Sequence, residues 1–293
     1  MTAGETVRGG LELTRPVNSV AAGVLTFIGA FVAGGIGDAS LMVAAAVGAT
    51  VFATAAGMAI NDYFDREIDR INQPDRAIPR GAVSPRGALA FSAVLFALAT
   101  ALAVLLPRLA IAIAVVNLLA LVAYTKLFKG LPGVGNAVVA YLGGSTFLFG
   151  AAAVGGNLET AFVLFLLAAL STLTREIVKD VEDLEGDREE GLNTLPIAIG
   201  ERRALLVGTG LLVVAVLASP VPFVLGDFGV AYLGVVVPAN LLMLYAAYEG
   251  FEDPTASQEH LKYGMFLAAM SFIVGRLALE IEGLMAMLGL ISV

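Results

Sequence analysis

The chain contains no cysteine and only one histidine, His260, in 293 residues. Disulfides, thiol nucleophiles and thiolate metal sites are therefore excluded. His-cluster metal sites and Ser-His-Asp catalysis are excluded with them. Charge is scarce as well. Asp, Glu, Lys and Arg together make up 14% of the residues, where soluble domains carry about a quarter. The formal net charge is −8, so no nucleic-acid partner is expected. Any metal must be held mainly by oxygen ligands, which suits Mg²⁺ or a similar hard cation.

What the chain does contain is apolar. Hydrophobic residues make up 58% of it, and its mean hydropathy is +0.88. Leu41–Ile60 runs for twenty residues without a charge, and about 20 residues at 1.5 Å each cross the hydrocarbon of a bilayer. Several such runs predict an all-α, polytopic membrane protein forming one domain over residues 1–293. Nine spans are expected, at about 17–36, 40–60, 87–106, 109–126, 134–154, 160–177, 202–222, 229–248 and 262–280. Residues 1–16 are polar and lead straight into the first, so no cleavable signal is expected. With the N-terminus inside, fifteen of the seventeen Lys and Arg fall on the cytoplasmic side, leaving Arg108 and Arg276 outside. That bias predicts a cytoplasmic N-terminus and an external C-terminus.

Two long charged loops share the cytoplasmic face, at about 61–86 and 175–201. The first opens NDYFDREIDR and the second contains DVEDLEGDREEG. Asp62, Asp65 and Asp69 are spaced three and four apart, and Asp180, Asp183 and Asp187 repeat that spacing about 118 residues later. The repetition predicts a parallel internal repeat. On a helix, positions i, i+3 and i+7 share a face, so each loop is expected to begin as a helical extension carrying three carboxylates on one stripe. For either loop alone the plain reading is a solvated acidic face with local partners, Asp62 with Arg66 and Glu67 with Arg70. Two matching triplets on one membrane face call for cations, and Mg²⁺ usually arrives with a substrate's phosphates. Basic residues near the loops, among them Arg66, Arg76, Lys129 and Lys179, are suited to such phosphates.

The chain resembles the UbiA-type intramembrane prenyltransferases. NDYFDREID with NQPDRAIPRG resembles their first Asp-rich motif and DVEDLEGDREEGLNTLPIAIG their second, and TRPVN (14–18) and YTKLFKGLPGVGN (124–136) extend the likeness over most of the chain. One departure is Ala77 and Arg80, where many members carry Pro and Ser. The resemblance implies helices around a central cavity. It implies metal–diphosphate roles for Asn61, Asp65, Asp69, Asp183 and Asp187, with Asp65, Asp69, Asp183 and Asp187 as the Mg²⁺ ligands. Asp62 and Asp180 fall in the same stripes, Lys129 aligns with a basic residue that meets the diphosphate, and Asn18 and Tyr124 match positions near the cavity.

The implied reaction passes a prenyl group from an isoprenyl diphosphate to a lipid-like acceptor drawn from the bilayer. The family members most resembled transfer a geranylgeranyl group to the free hydroxyl of geranylgeranylglyceryl phosphate in archaeal ether-lipid synthesis. Ring faces such as Tyr63, Phe64, Tyr124 or Tyr141 are candidates to stabilise an allylic cation. An aromatic, quinone-precursor or chlorophyllide-like acceptor stays open, because NDYFDREIDRINQP also resembles chlorophyll synthases. A cation-coupled transporter is the competing class, against which the acids cluster at one face rather than at mid-membrane. A phosphorylated acceptor calls for a further basic site, for which Arg15, Lys126 and Arg80 are the candidates.

Overall fold

The computed structural model describes residues 3–34, 37, 39–288 and 290, all-helical with no strand among them. In chain order the helices are α1 (Ala3–Leu13), α2 (Pro16–Val32), α3 (Ser40–Phe64), α4 (Arg66–Asn72), α5 (Pro85–Ala103) and α6 (Arg108–Ala123). A wider π-type turn, Tyr124–Phe128, leads to α7 (Val134–Val154), α8 (Leu158–Glu182), α9 (Leu184–Glu189), α10 (Leu195–Ile199) and α11 (Glu201–Ala218). The chain ends with α12 (Val221–Val224), α13 (Val230–Glu249) and α14 (Pro254–Met287).

Nine of these are the apolar helices the sequence predicts, and seven are long and apolar enough to cross a membrane unaided. The other two are α2, which joins α1 at a 46° bend, and α6, which is short at Arg108–Ala123. The count of nine spans is therefore approximate. Caps set several boundaries. The Ser84 and Asp253 side chains each accept a backbone N–H of the helix that follows, with Pro at its first position, and Asn157 accepts from Glu159 and Thr160 at the start of α8. Each cap satisfies orphan donors of a first turn.

Consecutive apolar helices neighbour one another all the way round, and α14 returns to α2 to close the ring. Large apolar side chains such as Leu98, Val115, Leu119 and Leu217 stand exposed on the outside, as expected of a lipid-facing surface. Away from the Asp-rich loops, Ile28, Phe147, Leu164, Phe228, Tyr232 and Phe272 form a packed core between the helices, and α2 crosses α7 backbone to backbone. A Cβ on Gly29 would lie 2.2 Å from the Phe147 carbonyl oxygen, and one on Gly150 would lie 2.0 Å from that of Thr26. Small residues are what allow membrane helices to approach so closely. Gly150→Ala must push two backbones apart, so we expect a destabilisation of about 1–3 kcal/mol. Thermal melting in detergent would measure it, and an unchanged midpoint would show that the crossing is not tight.

The internal repeat is visible in the backbone. Helices α3 and α8 each span 25 residues, and both stop at the middle Asp of their triplet. Asp65 has φ −82° and ψ 1°, and Asp183 has φ −86° and ψ 5°. The chain resumes as α4 and α9 with matching bonds, Asp69 N to Asp65 O at 2.8 Å and Asp187 N to Asp183 O at 2.9 Å. The expected helical extension holds up to the middle Asp. There ψ leaves the helical value near −42°, the following turn rotates, and the single carboxylate stripe divides.

Candidate active site

The division sends the first triplet two ways. Asp62 and Asp69 are each 5% exposed and turn toward arginines. Arg15, on the turn between α1 and α2, donates to Asp62 at 2.8 Å, and Arg76 donates through one nitrogen to both oxygens of Asp69 at 2.8 Å. Arg76 also stands 3.6 Å from Asp62. Arg15 is the one non-glycine residue with positive φ among those described (φ 42°), a conformation costing an L-residue about 1–2 kcal/mol. Arg15, Asp62 and Arg76, with Glu12, Gln73, Asp75 and Arg80, line a cavity of about 300 Å³, and Asp69 meets it only through Arg76. The local pairing expected of Asp62 with Arg66 does not form: Arg66 bonds the Tyr63 carbonyl and stacks over its ring at 4.8 Å. Glu67 and Arg70 do pair, at 2.7 Å.

Asp65 turns the other way. Its Oδ2 accepts from Lys129 Nζ at 2.8 Å, and Lys129 lines a second cavity of about 100 Å³ with Tyr124, Lys179, Asp180, Asp183 and Asp187. All three acids of the second triplet line this space, and Asp65 of the first is tied to it through Lys129. Asn61 lies beside them and is held by the Thr125 hydroxyl at 3.1 Å. Asn18 is exposed and lies outside both cavity linings. Of the aromatic candidates only Tyr124 lines either of these two cavities; Tyr63 packs on Phe64 and Tyr141 on Phe165. The Lys126 side chain lies outside the described residues.

Two residues here escape motif reading. Asn136, 7% exposed, donates to Asp180 at 2.8 Å. Thr194, 7% exposed, has its Oγ1 buried beside Asp187 with no hydrogen-bond partner of ordinary geometry. The 118-residue repeat was the signal for both, since it pairs Asn136 with Asn18 and Thr194 with Arg76. Burial pushes the Asp187 carboxyl above the usual range, and the like charges of Asp183 and Glu190 add to this. The Thr194 hydroxyl and Lys179 pull the other way.

Among the described residues no three carboxylates stand close enough to form a ready cage for a metal ion. The second cavity nevertheless fits Mg²⁺. Its metal-ligating side chains offer oxygen, its acids outnumber the cations beside them, and the Thr194 hydroxyl beside Asp187 makes no hydrogen bond of ordinary geometry. Mg²⁺ typically takes one or two carboxylates plus phosphate and water rather than an all-protein cage.

The profile of the UbiA prenyltransferase family matches residues 22–270. The chain belongs to this family. It is a multi-pass membrane protein. Over 274 residues it is 66% identical to digeranylgeranylglyceryl phosphate synthase of Natronomonas pharaonis, covering 94% of this chain and 99% of that one. A solved structure from a study of digeranylgeranylglyceryl phosphate synthase in membranes is similar at a TM-score of 0.78 and 39% identity, covering 93% of this chain and 99% of that one. A UbiA homolog from Archaeoglobus fulgidus bound to GPP and Mg²⁺ shares the fold at a TM-score of 0.71 and 20% identity, covering 92% and 99%.

Proposed function

We propose that the protein transfers a geranylgeranyl group from its diphosphate to the free hydroxyl of geranylgeranylglyceryl phosphate. The observation that carries this reading is the link from Asp65 through Lys129 to the cavity of the second triplet. It draws both Asp-rich motifs to one space, and the names of relatives up to 66% identical agree with it. Asp65, Asp183 and Asp187 are the proposed metal ligands, with Asp69 as a fourth that must first exchange Arg76 for the ion, and Asn61, Asp180, Lys129 and Lys179 surround the donor diphosphate. Mg²⁺ bound there would neutralise charge on the departing diphosphate. Lys129 and Lys179 stand where that charge grows, and stabilise it more in the transition state than in the ground state. Tyr124 presents a ring near the carbon that becomes cationic. Apolar helices on either side take the donor's tail from the bilayer and exclude water from the cation. The acceptor hydroxyl then attacks and gives its proton to a carboxylate or to diphosphate.

The single domain spans 1–293 in this reading. The N-terminus and both Asp-rich loops face the cytoplasm, and the C-terminus lies outside, in accord with the Lys/Arg bias. The test is to offer purified protein geranylgeranyl diphosphate, Mg²⁺ and a panel of acceptors. The expected product is the doubly geranylgeranylated glyceryl phosphate, lost on chelation of Mg²⁺. Prenylation of an aromatic acceptor in preference to the glyceryl phosphate would overturn the reading.

A further inference from the structure

The geometry points to the arginine-lined cavity beside the first triplet as the seat of the acceptor's phosphate, a phosphate monoester. This inference rests on the proposed reaction, which requires two anionic groups in one site: the donor's diphosphate and the phosphate of the acceptor. Of the two polar cavities beside the Asp motifs, one is lined by the second triplet and tied to the first through Lys129 and Asp65. The other, of about 300 Å³, brings Arg15, Arg76 and Arg80 together from sequence positions up to 65 apart.

Each guanidinium there has N–H groups to spare. Arg15 gives one nitrogen to Asp62, and Arg76 gives one to Asp69. Arg80 gives one to the Asp75 carbonyl and one to Glu12. Of five donors per arginine, most remain for a ligand, and Gln73 adds a neutral side-chain amide. The lining acids Glu12, Asp62 and Asp75, together with Asp69 bonded to Arg76, outnumber the three arginines, so a phosphate must displace at least one of them. The Glu12–Arg80 pair is the one to yield: its side chains are 35% and 36% exposed, and exposed ion pairs contribute little. Phosphate is the acceptor best matched to arginine's fork.

Reach supports the assignment. In the acceptor the phosphate and the free hydroxyl sit on adjacent glycerol carbons. Four bonds separate phosphorus from the attacking oxygen, at most about 5 Å. Asp62 lines the arginine cavity and Asp65 binds Lys129 on the donor side. Three residues apart, they lie about 4.5 Å apart along the helix axis. That rise is within the acceptor's reach, so a phosphate held by the arginines can extend its hydroxyl toward the Asp65 side.

The experiment uses full-length protein, geranylgeranyl diphosphate at saturation, and two acceptors: geranylgeranylglyceryl phosphate and the same alcohol without phosphate. Unaltered protein should prefer the phosphorylated acceptor. Arg80→Gln should raise the KM for it about tenfold and leave the KM for donor and the Mg²⁺ requirement unchanged. The preference over the phosphate-free alcohol should shrink by the same factor. Arg15→Lys, which keeps the charge but loses the fork, should shift in the same direction. As an independent measure, the phosphorylated acceptor alone, without donor or Mg²⁺, should raise the melting temperature of unaltered protein and of Arg80→Gln to different extents. An unchanged acceptor KM in Arg80→Gln, or a rise in donor KM instead, would overturn the site while leaving the proposed reaction standing. Absence of product from unaltered protein would overturn the reaction, and this site with it.

Discussion

Asp183→Asn is expected to abolish turnover, by at least about 10³-fold, while the protein still folds and inserts. The loss corresponds to roughly 4 kcal/mol of transition-state stabilisation at 1.36 kcal/mol per tenfold. The substitution keeps the shape of the side chain and removes its charge. Folding should tolerate it, because the break at this residue is held by backbone bonds, Asp183 N to Lys179 O and Asp187 N to Asp183 O, both 2.9 Å. The side chain is 52% exposed and pairs with Lys179 at 3.5 Å, so the exchange leaves no buried cation behind. Chemistry should not tolerate it. Asp183 is the middle residue of the triplet and lines the cavity where the diphosphate is proposed to sit. Glu185→Gln, two residues on and exposed in the first turn of α9, removes the same charge from the same loop and should leave turnover near normal. Comparing the two variants for product formation and for elution as a folded species separates a site role from general electrostatics. Turnover within tenfold of normal in Asp183→Asn would take Asp183 out of the site.

The spans and the two triplets were legible because they depend on local pattern: uncharged runs long enough to cross a bilayer, and a spacing repeated after 118 residues. Partners were legible only where they lie one helical turn away, as Glu67 and Arg70 do. The sequence pattern favours Arg66 for Asp62, yet Arg15 takes that carboxylate from 47 positions upstream. No periodicity reports such a contact, since it arises from how α1 and α2 fold back on the loop after α4. Leu13, fully buried against Ile78, Val83 and Ala88, fixes that packing. The repeat predicted like positions but not like partners. Where the first half sets Arg15 and Arg76 on its outer acids, the second sets Asn136 and Thr194. The two halves share a scaffold and differ in charge. The first half's outer acids are matched by arginines, whereas the second half's keep a negative field facing the cavity.

That asymmetry gives Lys129 a double role, and Lys129→Gln should separate its parts. Lys129 is the cation between Asp65 and the second triplet, its Nζ 2.8 Å from Asp65 and its stem lining the cavity. Removing the charge withdraws a stabilising partner from the growing negative charge on the leaving diphosphate. Maximal turnover should fall about 10²-fold, near 2.7 kcal/mol. The same change leaves Asp65, Asp180, Asp183 and Asp187 with less positive charge among them. Coulomb attraction for a divalent ion should then grow, and half-maximal activity should be reached at several-fold lower Mg²⁺. A slower enzyme that needs less metal is an unusual pair of outcomes, and a purely structural ion pair does not produce it. If Lys129 served only to hold the π-type turn against α3, its loss would disorder the cavity, and turnover and apparent metal affinity would fall together. Steady-state rates over a range of Mg²⁺ at saturating donor and acceptor distinguish the two. A rise in the Mg²⁺ requirement would mean that Lys129 organises the carboxylates rather than sharing their charge.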